Sequence, residues 1–292
     1  MFKTIHTVVF EAERGGGNPC PVTLYADELT TEQMQQMTKE FGEESAFLMR
    51  PQLPGCDVKA RYFVPLHEME MCIHATIGSA TVLVEKGIFT TSPIMYETAF
   101  GAVQVDWERK NGKIEIGVHQ FLPKKLEKNP TREEVCRALR ITEEQLADQP
   151  IQSVATSRFK LIVPLDSRET VDSLDPDFEY LWELCDKYET TGFYTYALEK
   201  GEKPLFFARQ FPKRAGYNED PATGVAASAL GAYIADNQVL PVQEGWNSYT
   251  IMQGFAMGKP SVISSDIFMK DGKIAKTRVC GSAYLTGEDG KR

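Results

Sequence analysis

The sequence predicts an α+β chain in which one plan, a sheet and a buried helix, is used twice. Three observations predict it: strand-like and helix-like segments mix with neither dominant, a short pattern recurs about half a chain apart, and each copy runs into a helix of very small residues. The strand-like segments TVVF, PVTLYA, KARYFV, KIEIGV, FKLIVPL and GFYTYAL are rich in β-branched or aromatic residues and bounded by turn formers. The helices carry their own markers. Thr30 and Gln33 form a capping box, Met34, Met37 and Phe41 then share one face, and Gly42 ends the helix. Thr131 and Glu134 repeat that logic, and PDFEYLWELCDKYE supplies a third amphipathic helix.

The repeat is the most informative feature. Ala60-Arg61-Tyr62-Phe63-Val64-Pro65 precedes HATIGSATVLVEKG, and Ala208-Arg209-Gln210-Phe211-Pro212 precedes PATGVAASALGAYI. Arg61 and Arg209 lie 148 positions apart and Thr76 and Thr223 lie 147 apart, because Val64 has no counterpart. That spacing is about half of the 292 residues, which favours a duplicated domain. In this register one helix opens at 75, just after His74, and the other at 222, two positions after Asp220. Ala75, Gly78, Ser79 and Ala80 in one, and Gly224, Ala226, Ala227, Ser228 and Ala229 in the other, permit the close backbone approach of helices buried within sheets or barrels. A buried helix that starts at a domain junction aims its unpaired N–H groups and positive dipole end there, where a ligand carboxylate binds well.

Composition excludes several functions. A net charge of -9, with no basic cluster longer than the pairs Arg109-Lys110, Lys124-Lys125 and Lys213-Arg214, argues against nucleic acid or an anionic membrane as the main partner. A small molecule fits better. The opening residues MFKTIHTVVF alternate like a strand and contain no signal-peptide h-region, and no apolar run approaches the roughly 20 residues that cross a bilayer, so a cytoplasmic protein is expected. Cys20, Cys56, Cys72, Cys136, Cys185 and Cys280 form no C-x-x-C pair, and His6, His67 and His119 lack metal-ligand spacing. Gly15, Gly16 and Gly17 read as a turn rather than a phosphate loop, since no Lys-Ser/Thr follows. Arg61 and Arg209 read as arginines paired across a sheet, the commoner alternative to holding a substrate carboxylate.

Glu44 lies where a Gly-terminated helix gives way to Ala46, Phe47, Leu48 and Met49, a setting for a half-buried carboxyl suited to general-base work. From residues alone, a solvated charge beside Glu43 is the commoner reading. Likewise Asp220 alone reads as an N-cap, and His74 as a satisfied core histidine.

With these residues laid out, the sequence resembles the PhzF-like family of phenazine-biosynthesis isomerases, within the wider group that has the diaminopimelate epimerase-like fold. The resemblance rests on GNPCPV after the first strand, EESAF after the first helix, HAT at 74–76, EDPATG at 219–224, QGFAMGKPS at 253–261 and GSA at 281–283, in that order. It implies two pseudo-symmetric domains, each a β-barrel-like sheet around a central helix, with the active site between them. They would span 1–124, with 278–292 returning to it, and 125–277.

The resemblance further implies a cofactor-independent isomerase that moves a proton between carbons of a small cyclic or unsaturated acid and often forms a homodimer. Glu44 would be its general acid/base, with His74 and Asp220 hydrogen-bonding the substrate and Ile73, Ala75, Thr76, Gly224 and Val225 lining the substrate site. No organic cofactor or metal is implied. Glu44, His74 and Asp220 are expected within about 10 Å of one another, since each must reach one small substrate. Two positions depart from the family pattern: Ile73 stands where a Gly is usual and Val225 where a Ser is usual. Both family residues help hold a substrate carboxylate, so a smaller or less acidic compound than the phenazine precursor, or a shifted pose, is expected. Cys72 falls at about the position of the first of two catalytic cysteines in epimerases of this fold, but the second would fall near Pro221, which has no thiol. Cys72 therefore reads as packing. An epimerase using Cys72 and a catalytically degenerate small-molecule binder are the alternatives.

Overall fold

The computed structural model describes residues 2–110 and 112–289. The chain divides into two compact units, one formed by the chain up to His119 together with the segment from Cys280 onward, the other running from Gln120 to Val279.

The first unit contains β1 (Lys3–Val9), β2 (Asn18–Leu24), α1 (Thr31–Phe41), β3 (Ser45–Met49), β4 (Val58–Phe63), β5 (Glu68–Met69), α2 (Ile73–Glu85), β6 (Ile94–Thr98), β7 (Gly101–Lys110) and β8 (Lys113–Gln120). The second contains β9 (Lys124–Lys125), α3 (Arg132–Leu139), β10 (Gln152–Ala155), β11 (Lys160–Pro164), α4 (Arg168–Ser173), α5 (Phe178–Lys187), β12 (Gly192–Glu199), β13 (Leu205–Pro212), α6 (Gly224–Asp236), β14 (Gly245–Gln253) and β15 (Ser261–Lys270). A long final strand, β16 (Lys273–Asp289), contributes its later residues to the first unit.

In the first unit the strand order is β1-β2-β3-β4-β6-β7-β8-β16, and β16 also pairs antiparallel with β1, Val9 opposite Ala283, so eight strands close into a barrel. Closure removes the free edges that an open sheet must protect. Twelve of the thirteen residues of α2 are buried, the pattern of a helix enclosed on all sides. Gly78 makes that possible against β1 and β2, because a Cβ there would lie 2.8 Å from Thr7 Oγ1. Polar tethers fix the helix inside: the Tyr62 and Thr76 hydroxyls meet at 2.7 Å, and those of Ser79 and Tyr96 at 3.1 Å. Outside, α1 starts on the Thr30–Gln33 capping box and stops at Gly42 in the left-handed region. Its Met34 packs with Phe47 and Phe63, and Met37 lies against the same cluster.

In the second unit the strands run β9-β10-β11-β12-β13-β14-β15 and on to β16. Its strand β12 is buried along most of its length, so both faces are covered. Phe193 and Ala197 face the cluster that includes Val135, Leu139, Leu181 and Leu184 from α3 and α5, whereas Tyr196, offset by one, stacks edge-on with Tyr233 of α6. Twelve of the thirteen residues of α6 are buried as well. Gly231 admits β15: a Cβ there would approach Ser265 Cβ to 2.8 Å.

Arg61 and Arg209 behave as structural residues, each in a two-pronged pair with a nearby acid of its own unit. Arg61 donates to both carboxylate oxygens of Glu68 at 2.7 and 2.6 Å, and Arg209 to those of Glu219 at 2.9 and 2.8 Å. Arg209 Nη1 also donates to the carbonyls of Val171 and Leu174, which end α4.

Helix starts differ from the sequence expectation. The helix expected from 75 begins at Ile73, so His74 lies within its first turn; the one expected from 222 begins at Gly224. Thr76 is thus inside α2 while Thr223 is the N-cap of α6, and the threonines matched by the repeat are not equivalent. Neither Cys72 nor Thr223, the two N-caps, makes a side-chain capping bond, which removes the usual local mark of a helix start.

Candidate active site

Three segments of the first unit build the site. Gly42 ends α1 in a left-handed turn, and two residues later Glu44 immediately precedes β3. Beside β3 runs β2 in parallel, Val22 opposite Ala46, carrying the GNPCPV segment. Its Gly17 must be glycine: φ is +81°, and a Cβ would lie 2.8 Å from the Val9 carbonyl oxygen. The third segment is the start of α2, with Cys72 as N-cap and His74 as second helical residue.

These segments bring Glu44, Cys72 and His74 into mutual contact. The Cys72 thiol donates to Glu44 Oε2 at 3.2 Å and lies 3.0 Å from His74 Nδ1, and Nδ1 lies 3.3 Å from the same carboxylate oxygen. His74 is 3 % exposed and the Glu44 side chain 12 %, so the cluster is nearly dry and opens to solvent mainly at the carboxylate. Burial first, and then the charge on Glu44, hold the Cys72 thiol well above its ordinary range, so it is a proton-bearing donor at neutral pH. Burial likewise pushes His74 below its ordinary value of 6.5, against the opposing pull of Glu44 and of the Pro19 backbone. The imidazole is therefore neutral near pH 7. As N-cap and first helical residues, Cys72 and its neighbours also place the unpaired N–H groups of α2 beside this cluster.

The shift of His74 has a consequence for stability. The unfolded chain takes up a proton on this ring near pH 6.5, while the folded chain does so only at lower pH, so His74 weakens the fold as pH falls below about 6.5. His74→Gln cannot titrate. Urea unfolding at pH 7.5 and 5.5 is expected to show a smaller acid loss in the variant than in the wild type; equal losses would mean that the ring is already charged in the fold.

The sequence reading set Cys72 aside as packing, yet its thiol sits between Glu44 and His74. Its place two residues before His74 was the available signal. Thr76 does not present its hydroxyl to a ligand: it donates to the Cys72 carbonyl at 2.8 Å and meets Tyr62. The side chains of Ile73, Ala75 and Val225 are buried, at 1, 0 and 8 % exposure.

Asp220 belongs to the second unit and is not an N-cap, since Thr223 holds that position. It is buried, accepts a short hydrogen bond from Thr223 Oγ1, and is anchored through its backbone. Gln253 Nε2 donates to the Asp220 carbonyl at 2.7 Å, while Gln253 Oε1 accepts from Tyr194 Oη at 2.9 Å and from the Thr223 amide at 3.2 Å. Gln253 thus ties the EDPATG segment to the QGFAMGKPS segment. Gly224 follows as the first residue of α6.

Thiol, imidazole and carboxylate are also metal-ligating groups. Their donor atoms lie within 4.8 Å of one another, and this is the set among the described residues best placed to hold an ion.

A family model described as phenazine biosynthesis-like protein (PhzC-PhzF) matches residues 8–288, nearly the whole chain. The chain belongs to that family, and its fold is the diaminopimelate epimerase-like one. Among curated relatives, it is 30% identical over 285 residues to the uncharacterized isomerase YddE of Escherichia coli K12, covering 96% of this chain and 95% of that one. It is 30% identical over 264 residues to the trans-2,3-dihydro-3-hydroxyanthranilate isomerase of Pseudomonas aeruginosa, covering 89% and 88%. A PhzF-family phenazine biosynthesis protein of Bacillus anthracis superposes with a TM-score of 0.89 at 25% identity, covering 99% of this chain and 98% of that one. A hydroxyproline epimerase of Agrobacterium vitis, at 12% identity and a TM-score of 0.67 over 99% and 91%, shares the fold alone. The chain is an enzyme of the isomerase class. No helix among the described residues is long and apolar enough to cross a membrane.

Proposed function

We propose that this isomerase moves a proton between two carbons of a small cyclic or unsaturated acid, with Glu44 as the single acid/base. The observation that carries the reading is the Glu44–Cys72–His74 cluster, a carboxylate held by a thiol and a neutral imidazole in a nearly dry setting. The carboxylate removes a proton from one carbon, and the electron pair left behind shifts along the conjugated system. Glu44, now protonated and able to exchange with solvent through its exposed edge, delivers a proton at the far carbon. Protons balance without another reactant, and one group serves as base and then acid. The α2 amides would stabilise the substrate's carboxylate and the negative charge that develops. Asp220, rigidly held through Gln253 and Thr223, is the further hydrogen-bonding group in this reading.

The named activity of the Pseudomonas aeruginosa relative supports a dihydroaromatic acid as the chemical class. Ile73 and Val225 favour a compound smaller or less acidic than the phenazine precursor, or a shifted pose, since each stands where the family pattern has a residue suited to carboxylate binding. The runner-up is an epimerase that uses Cys72, favoured by the thiol's contact with Glu44. Against it stand the raised Cys72 thiol and the absence of a second thiol at Pro221.

Screening dihydroaromatic acids and cyclic amino acids in deuterium oxide separates the two. Deuterium at one carbon with a moved double bond supports the isomerase. Deuterium at a stereocentre with loss of optical rotation supports the epimerase, and tight binding without uptake supports a binder only.

A further inference from the structure

We propose that Glu44, Cys72 and His74 form a binding site for a thiophilic divalent cation, Zn²⁺ being the natural fit, and that occupation of the site switches the enzyme off. The inhibitory half rests on the proton-transfer reading above; the binding half does not.

Three observations carry it. First, the ligand types suit the ion: thiolate, imidazole and carboxylate are all zinc ligands, and the thiolate selects against magnesium and calcium. Second, the spacing is close to what is needed. Tetrahedral zinc at about 2.3 Å from sulfur and about 2.0 Å from nitrogen or oxygen spaces its ligands by about 3.3–3.6 Å. The Sγ–Nδ1, Sγ–Oε2 and Nδ1–Oε2 distances here are 3.0, 3.2 and 3.3 Å, so the cluster opens by only a few tenths of an ångström. Third, the charges cancel. A thiolate and a carboxylate neutralise a dication, which lets it enter a buried site without leaving net charge there. The Glu44 carboxylate is the more exposed ligand and gives the ion its way in.

Atoms balance simply. The cation takes a lone pair from Nδ1 of the imidazole, whose proton then sits on Nε2, and one from the Glu44 carboxylate. It displaces the proton from Cys72 Sγ, which leaves to solvent. A water completes the tetrahedron. With its carboxylate committed to the metal, Glu44 can no longer accept a proton from carbon. Regulation then comes from free zinc rather than from a product.

Cobalt(II) is the direct probe, because a cobalt–thiolate bond gives a near-ultraviolet charge-transfer band that no substrate is needed to see. The wild-type protein, purified without chelator, is expected to bind one Co²⁺ with that band and to lose it when Zn²⁺ is added. Cys72→Ser is expected to lack the band, and Glu44→Gln to bind at least about tenfold more weakly, since loss of even an outer-sphere partner costs about that much. The Glu44→Gln arm keeps the test decisive if Cys72→Ser fails to fold. Absence of the band in wild type, a band that survives in folded Cys72→Ser, or unchanged affinity in Glu44→Gln would overturn the site. If the band appears and zinc leaves turnover untouched, the switch is overturned. Metal binding by a protein that catalyses no proton transfer would leave the site standing and count only against the isomerase reading.

Discussion

Glu44→Gln is expected to cut turnover by roughly 10² to 10⁴-fold, the usual contribution of a positioned acid/base. Its melting temperature should stay nearly unchanged. The reason for both lies in the local geometry. Glutamine keeps the length of the side chain and an acceptor oxygen, so the Cys72 thiol, 3.2 Å from Oε2 in the wild type, retains a partner. It removes the basicity and the negative charge, and puts an amide NH2 in place of one oxygen. A large fall in the melting temperature would mean that the carboxylate holds β3 to α2 as a structural pin, and near-normal turnover would remove Glu44 from the chemistry.

Gly254→Ala is expected to lower stability by about 2 to 6 kcal/mol, where left-handed strain and overpacking each cost about 1–3. Gly254 has φ +82°, and an added Cβ would meet the Lys259 carbonyl and lie 2.7 Å from the carbonyl oxygen of Pro221. Both are backbone atoms, which cannot turn aside as a side chain would. Because Pro221 follows Asp220, relief of the clash also displaces the acid and its tie to Gln253. Gly258, four residues on, supplies the control: its φ is +66°, yet nothing lies within 4 Å of a Cβ there. Gly258→Ala is expected to cost only about 1 kcal/mol, the strain alone. Urea unfolding of the two variants measures the contrast, and equal losses would show that crowding at Gly254 is relieved without cost.

Sequence reading succeeded where the physics is local. The Thr30–Gln33 and Thr131–Glu134 capping boxes and the Gly42 stop are side-chain and backbone effects within a few residues, and each is present in the structure. The small-residue stretches were also legible, since helices apolar all round have to be buried. Helix starts were missed where Cys72 and Thr223 occupy N-caps without making capping bonds. Closure of the first barrel was also out of reach as a derivation from residues, because β16 pairs with β1 across nearly the whole chain length. Cys72 illustrates the remaining gap. Its contacts with Glu44 depend on β3 lying beside the start of α2, a tertiary fact that no spacing in the chain expresses.

The central claim is that the carboxylate of Glu44 carries the migrating proton. The most direct measurement follows the isotope at carbon during a single turnover of a dihydroaromatic acid in deuterium oxide, comparing wild type, Glu44→Gln and Cys72→Ala. The proton on Glu44 exchanges against solvent through the exposed edge of the carboxylate before delivery. The account therefore predicts a moved double bond with deuterium at the receiving carbon in wild type, the same product formed more slowly in Cys72→Ala, and none in Glu44→Gln on that time scale. Deuterium delivered at the wild-type rate by Glu44→Gln, with transfer abolished in folded Cys72→Ala, would contradict it and assign the proton to the thiol.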